Sequence, residues 1–202
     1  MSARPPTFVV FEGLDGAGKS TIARLVAAAM DAVFMTTPSP RVREFRDDLI
    51  ASLGGSQEAT QLFYLATVFA ASRDVDRHTA AGRSVVLDRY FLSTQAYAEF
   101  RGSALRLDNV QRHLRPADLT VFLHAPLEIR RSRIVGRAGE SAADRETLAP
   151  EADARLRQTR AARSGLRVVG QLLTLDTALV SPEEAVARVL AEVRENESVR
   201  GR

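Results

Sequence analysis

Residues Phe11–Thr21 read FEGLDGAGKST. Within them, Gly13 to Ser20 satisfy G-x-x-x-x-G-K-[ST] at every fixed position. That spacing has a physical meaning. Glycines let the backbone curl until successive N–H groups point inward, and the helix after the loop adds the positive end of its dipole. The lysine reaches β- and γ-phosphates, and the hydroxyl after it ligates Mg²⁺. The context agrees. TFVVFEG, before the turn, is an apolar, β-branched and aromatic run that reads as a buried strand. STIARLVAAAM, after it, has helical composition and spacing. The motif therefore predicts a nucleotide-binding loop of Gly13, Asp15, Gly16, Ala17, Gly18, Lys19, Ser20 and Thr21. A glycine-rich turn that merely links strand to helix is the weaker reading.

Outward from this loop the chain alternates. AVFM, SVVLD, LTVFLHA and LLTLD read as four further strands, and helical stretches separate them. Ser181-Pro182 supplies an N-cap and a first-position proline for the closing helix. Near-continuous apolar strands alternating with helices imply a parallel sheet covered on both faces. The expected fold is α/β, a three-layer P-loop NTPase fold with a five-stranded parallel sheet flanked by helices and an arginine-containing lid. One domain is expected over residues 1–202, with the lid at about 136–150 and frayed ends at about 1–6 and 197–202. In such sheets ligands sit beyond the carboxyl ends of the strands. Asp88 ends one strand there and is a candidate Mg²⁺ acid, and Arg89 beside it offers a planar fork for phosphate. A surface salt bridge is the bland reading of that pair.

Composition narrows the function. The 202 residues are 45% hydrophobic and include no cysteine, which excludes disulfides and thiolate chemistry. No apolar run is long enough to span a membrane, and MSARPPT lacks a signal-peptide core, so a soluble cytoplasmic protein is expected. The formal charge is +3. The arginines are interspersed with acids and no aromatic series accompanies them, which favours small anionic ligands over nucleic acid. Lys19 is the chain's one lysine. A guanine-reading Asn-Lys-x-Asp motif needs another, so a Ras-type GTPase is excluded, and a small kinase fits best.

The chain resembles the thymidylate kinase family over nearly its whole length. FEGLDGAGKST resembles that family's P-loop, and VVLDRYFLSTQAYAEFRG its D-R-[YFH]-x-x-S-x-x-A-Y segment. LRPADLTVFLHAPLEIRRSRI resembles its P-D-L-T stretch, and GRAGESAADRE its flap. The resemblance implies ATP- and Mg²⁺-dependent phosphorylation of a nucleoside monophosphate, dTMP or a related pyrimidine nucleotide, and is compatible with a homodimer. It also implies roles. Lys19 and Arg89 would be catalytic, with Arg133 and Arg137 as lid arginines and Arg145 third. Ser20 and Asp88 would hold the metal. Asp15 would accept from the acceptor's sugar hydroxyl, Tyr97 would press on the sugar, Phe63 would stack on the base, and Thr94 would line the acceptor site.

Two departures stand out. Thr37 occupies the place of an arginine that grips the acceptor phosphate, and Thr67, four residues after Phe63, the place of one that reads the base. Threonine cannot reach as arginine does. Arg43 and Arg46 are the candidates to recover the phosphate contact. His124 stands where the family has aspartate and reads as a strand-end residue. Two other functions compete: a kinase for a nucleoside or similar hydroxyl compound, where Asp15 or Asp88 would have to serve as base and where Glu12 matches that class's Glu after the first strand but Asp88-Arg89-Tyr90 departs from its D-R-S, and a non-enzymatic nucleotide switch.

Overall fold

A computed structural model describes residues 5–135 and 147–200, without side chains for the last two. Five parallel strands form one sheet in the order β2-β3-β1-β4-β5. They are β1 (Phe8–Glu12), β2 (Val33–Thr36), β3 (Val85–Asp88), β4 (Leu119–His124) and β5 (Gln171–Asp176). The helices are α1 (Lys19–Ala29), α2 (Pro40–Ser52), α3 (Gln57–Ala80), α4 (Phe91–Phe100), α5 (Leu127–Val135), α6 (Pro150–Arg163) and α7 (Pro182–Arg200). The stretch LDNVQRHL, though helical in composition, forms a six-residue 3₁₀ helix at Asp108–His113. The closing helix continues through Arg200, past the point where fraying was expected. Of the expected lid, residues 136–146 lie outside the described residues, and α6 begins at Pro150.

The period-2 alternation of β1 explains the layers. Phe8 and Val10 face one side, with Val85 and Leu87, against Leu65, Val68, Ala71 and Val75 of α3. Val9 and Phe11 face the other side, against Ile22, Ala23 and Val26 of α1 and Val189 and Val193 of α7. All five residues of β1 are buried, so this strand is the centre of the molecule. Its neighbours are set in register: Phe11 opposes Asp88 on β3 and Val121 on β4. Three strand ends therefore share one rim.

α2 and α3 each start on a serine cap. Ser39 Oγ accepts from Val42 N, and Ser56 Oγ accepts from Ala59 N at 3.1 Å. Both helices start at the carboxyl rim, and α3 runs from there along the sheet, packing its buried face on β2 and β3 and leaving Leu62 exposed.

Gly13 is the point where the P-loop leaves β1. It adopts φ +140°, and a Cβ there would stand 2.2 Å from the Leu123 carbonyl oxygen of β4. Gly165, by contrast, has open space around it. Gly13→Ala is expected to destabilise the fold by about 1–3 kcal/mol through overpacking and strain. Gly165→Ala is expected to stay within about 0.5 kcal/mol of the parent. Thermal unfolding of the two variants side by side checks this.

Candidate active site

The carboxyl rim carries a cavity of about 290 Å³. Its walls come from the P-loop (Asp15, Lys19, Ser20), the end of β3 (Asp88, Arg89), α4 (Thr94, Tyr97) with Arg101 just after it, and α2 with α3. Arg89 is held in the left-handed region at φ 71, unusual for a residue with a side chain. Its N–H donates to Phe11 O at 2.9 Å, so the β1–β3 ladder continues one residue past the strand and fixes this geometry.

The charges on the rim form one cluster. Arg89 donates to Asp15 in a short ion pair, and Lys19 Nζ lies 3.8 Å from Asp15 Oδ1 while donating to Leu14 O at 2.7 Å. Tyr97 donates its phenol to Asp15 Oδ2 at 3.1 Å. The guanidiniums of Arg89 and Arg101 each lie 5.4 Å from the Tyr97 ring centroid. Burial would raise the Asp15 pKa, but Arg89 and Lys19 outweigh it and hold the carboxyl well below the usual carboxylate range. Burial, helped by the Arg89 charge, pushes the Lys19 ammonium down to about 8 against the pull of Asp15 and Asp88.

Ser20 Oγ donates to Asp88 Oδ2 at 2.5 Å. Asp88 Oδ1 and Arg89 Nη1 are buried and have no hydrogen-bond partner among the described residues. Unpaired buried polar groups are costly, so these atoms are prepared for a ligand. A hydroxyl and a carboxylate oxygen side by side suit a hard cation that keeps waters and takes its remaining ligands from phosphate. The donor set at Ser20 and Asp88 therefore fits Mg²⁺.

Other predicted residues fall elsewhere. Arg133 donates to Gly16 O at 3.3 Å, Thr177 Oγ1 at 2.8 Å and Thr177 O at 2.7 Å. It ties the P-loop to the turn after β5 and does not line the cavity. Arg137 and Arg145 lie outside the described residues. Gly16, at φ +79°, faces α5 so closely that a Cβ would stand 2.7 Å from the Arg130 carbonyl oxygen. No larger residue fits there without moving α5. Thr94 lines the cavity with its hydroxyl bonded to Tyr90 O at 3.1 Å.

On α3 the structure differs from the expectation. Phe63 and Thr67 are not among the lining residues; Gln57, Thr60, Gln61 and Tyr64 are. The reason is helical periodicity: positions 57, 60, 61 and 64 share one face, and Phe63 lies round the helix from it. Thr67 also bonds its hydroxyl to its own helix at Tyr64 O, 2.7 Å away. Thr37 lines the cavity, and its buried hydroxyl oxygen has no partner among the described residues. Arg43 and Arg46 both line it too. His124 lies outside it, 3.7 Å from Asp176 Oδ2.

Glu12 plays a part that its sequence position alone did not disclose. Tyr90 begins α4 with no capping side chain of its own. Glu12, 1% exposed, supplies the cap from β1, accepting from Tyr90 N and Ser93 N at 3.1 Å each and from Ser93 Oγ. Burial raises its pKa, against the lowering effect of the Ser93 bonds. The visible signal was an acid ending an otherwise apolar strand.

A curled loop entering a helix, with a strand-end Asp-Arg pair beside it on a parallel sheet, defines a P-loop phosphate-handling protein. A thymidylate kinase family model matches residues 11–195. The curated thymidylate kinase of Rhodopseudomonas palustris (strain TIE-1) is 34% identical over 160 residues, which span 68% of this chain and 67% of that one. The thymidylate kinase of Desulfotalea psychrophila is 31% identical over 157 residues, 72% of this chain and 77% of that one. The solved thymidylate kinase of Candida albicans superposes with a TM-score of 0.71 at 20% identity, over 98% of this chain and 95% of that one, a likeness of fold. The chain belongs to the thymidylate kinase family.

Glu12→Ala, which leaves two backbone N–H groups of α4 without an acceptor, is expected to lower stability by about 1–3 kcal/mol. Glu12→Gln keeps one acceptor oxygen and is expected to lose less. Urea unfolding of both variants measures the difference.

Proposed function

We propose that the protein transfers the γ-phosphoryl group of ATP to the 5′-phosphate of dTMP, giving dTDP and ADP. The observation that carries this is one cavity in which Lys19, Ser20, Asp88 and Arg89 meet Asp15 and Tyr97, with Asp88 Oδ1 and Arg89 Nη1 buried and unpartnered. Family membership supports ATP as the phosphate donor.

In this reading the P-loop N–H groups and Lys19 hold the β- and γ-phosphates. Ser20 and Asp88 would hold Mg²⁺, which would supply positive charge against the phosphates. An oxygen of the acceptor phosphate attacks the γ-phosphorus as the bond to the bridging oxygen breaks, and ADP leaves with the electron pair. The acceptor is already ionised, so no general base is needed. Arg89, fixed by its strained backbone and by Asp15, stands between donor and acceptor and offsets the charge on the moving group. Asp15 accepts from the sugar hydroxyl, and Tyr97 packs on the sugar. Arg43 and Arg46 grip the acceptor phosphate in place of the arginine that Thr37 replaces. Arg133 acts indirectly, by holding the P-loop to the turn after β5.

Phosphorylation of a free nucleoside hydroxyl requires a base. Asp15 is held by Arg89, Lys19 and Tyr97, Asp88 accepts from Ser20, and Glu12 is buried with its oxygens engaged by α4, so the geometry favours a monophosphate acceptor. No helix among the described residues is long and apolar enough to cross a membrane. A cytoplasmic homodimer is part of the proposal. It is supported by the family likeness and by Phe45 and Leu49 of α2 and Leu62 of α3, all exposed.

Lys19→Ala and Arg89→Ala are each expected to reduce turnover of dTMP by about 10²–10³-fold or more, as loss of a charge contact in the transition state does. Coupled ADP-release kinetics reads this, and near-normal turnover would refute the role. Affinity for ATP should also depend on pH. Bound phosphates favour protonated Lys19, so above pH of about 8 the free protein must take up a proton to bind. Affinity is then expected to weaken by up to about tenfold per pH unit above that point. Calorimetric titration between pH 6 and 10, with Lys19→Ala as the flat control, measures it.

A further inference from the structure

The far wall of the cavity, on α3, is made of neutral groups. Of the four lining side chains there, two turn back on the start of their own helix. Gln57 Nε2 donates to Gly55 O and Thr60 Oγ1 to Ser56 O. Gln61 differs. It is 2% exposed and bridges to two other parts of the chain. Its Nε2 donates to Gln95 Oε1 of α4 at 3.0 Å, and its Oε1 accepts from Ser103 Oγ at 2.5 Å. Gln95 is itself 1% exposed, and its Nε2 has no partner among the described residues.

Every member of this Ser103–Gln61–Gln95 relay can reverse. A hydroxyl donates or accepts, and an amide exchanges its oxygen and nitrogen by half a turn about its last torsion. With both amides turned, Gln95 Nε2 donates to Gln61 Oε1, and Gln61 Nε2 donates to Ser103 Oγ. The number of hydrogen bonds within the relay is unchanged; the unpartnered group at Gln95 changes from N–H to C=O, and the Ser103 hydroxyl turns from donor to acceptor, giving up its acceptor on Gln61. Ser103 Oγ also accepts from Leu105 N at 3.4 Å, which either state allows. Gln61 can therefore present a donor or an acceptor to the cavity without breaking its supports. An arginine in this wall would only donate, and would reject a base that offers an amino group, because a buried donor left facing a donor is costly.

With the cavity read as a nucleotide acceptor site, on which this assignment rests, we propose that Gln61, carried between Ser103 and Gln95, is the specificity-determining residue for the acceptor base, and that it admits both 4-oxo and 4-amino pyrimidine monophosphates. The protein then phosphorylates dCMP as well as dTMP and dUMP.

The test is kcat/KM of the wild-type protein with ATP and Mg²⁺ for dTMP, dUMP and dCMP. The expected result is dTMP and dCMP within about thirtyfold of each other, since Gln61 offers either base a complementary group. A larger preference for dTMP overturns this proposal and leaves the kinase reading intact. Turnover of none of the three overturns both. Two variants test the mechanism. Gln61→Met removes both polarities and is expected to reduce kcat/KM for dTMP and dCMP alike by about tenfold, with KM for ATP unchanged. Unaltered acceptor kinetics would overturn the assignment. Gln95→Glu places an acceptor-only carboxylate beside Gln61 Nε2 and fixes one orientation. The dTMP:dCMP ratio is then expected to move at least about fivefold from wild type. A residue that merely packs there would lower both substrates equally and leave the ratio where it was.

Discussion

The parallel pairing of β1 with β3, with Phe11 opposite Asp88, is the constraint on which the rest of the site depends. It brings the start of the P-loop and the Asp-Arg pair to the same height on the sheet. The ladder then runs one residue further, through the bond from Arg89 N to Phe11 O, and this holds Arg89 in a backbone conformation that a residue with a side chain rarely adopts. From there its guanidinium reaches Asp15, and Asp15 in turn touches Lys19 and Tyr97. A shift of register by one residue would separate these groups and exchange the side chains that β1 presents to its two covered faces.

The rim is an arrangement of compensated charges. Burial alone would neutralise Asp15, and the two cations beside it keep it ionised. Lys19 is pushed the other way, by burial and by Arg89. Such a cluster is tense, because every cation sits close to another. A polyanion relieves that tension, which is why a phosphate chain is the natural complement of this loop. Glu12 supports the same geometry from beneath, since its carboxyl caps the helix that carries Thr94 and Tyr97. Arg133 braces the loop through Gly16 and Thr177. Positioning of this kind is what phosphoryl transfer chiefly requires of a protein.

The acceptor side obeys a different logic. Thr37 and Thr67 replace the arginines that the family resemblance led one to expect, and the structure puts cations of α2 and neutral amides of α3 on the wall instead. The cavity thus has a positive end, at Arg43 and Arg46, and a neutral end, at Gln57, Thr60, Gln61 and Tyr64. The buried Ser103–Gln61–Gln95 relay is the part of that wall with connections beyond its own helix.

The sequence by itself determined the sheet, the P-loop and the Asp88-Arg89 pair. Those signals are local: strand alternation, a glycine spacing and a strand-end acid each lie within about ten residues, where the chain's own geometry decides the outcome. It also determined that Arg43 and Arg46 were candidates for the cavity. Only the tertiary structure decided which face of α3 meets the cavity. Phe63 and Tyr64 are adjacent aromatics about 100° apart round the helix, and which of them meets the cavity is set by how Leu65, Val68 and Val75 dock on the sheet. It alone decided that Glu12 caps α4 across 81 positions of sequence, and that Arg133 braces the loop rather than lining the cavity. These are contacts between elements distant along the chain, and their partners are selected by packing, which no local pattern of residue types encodes.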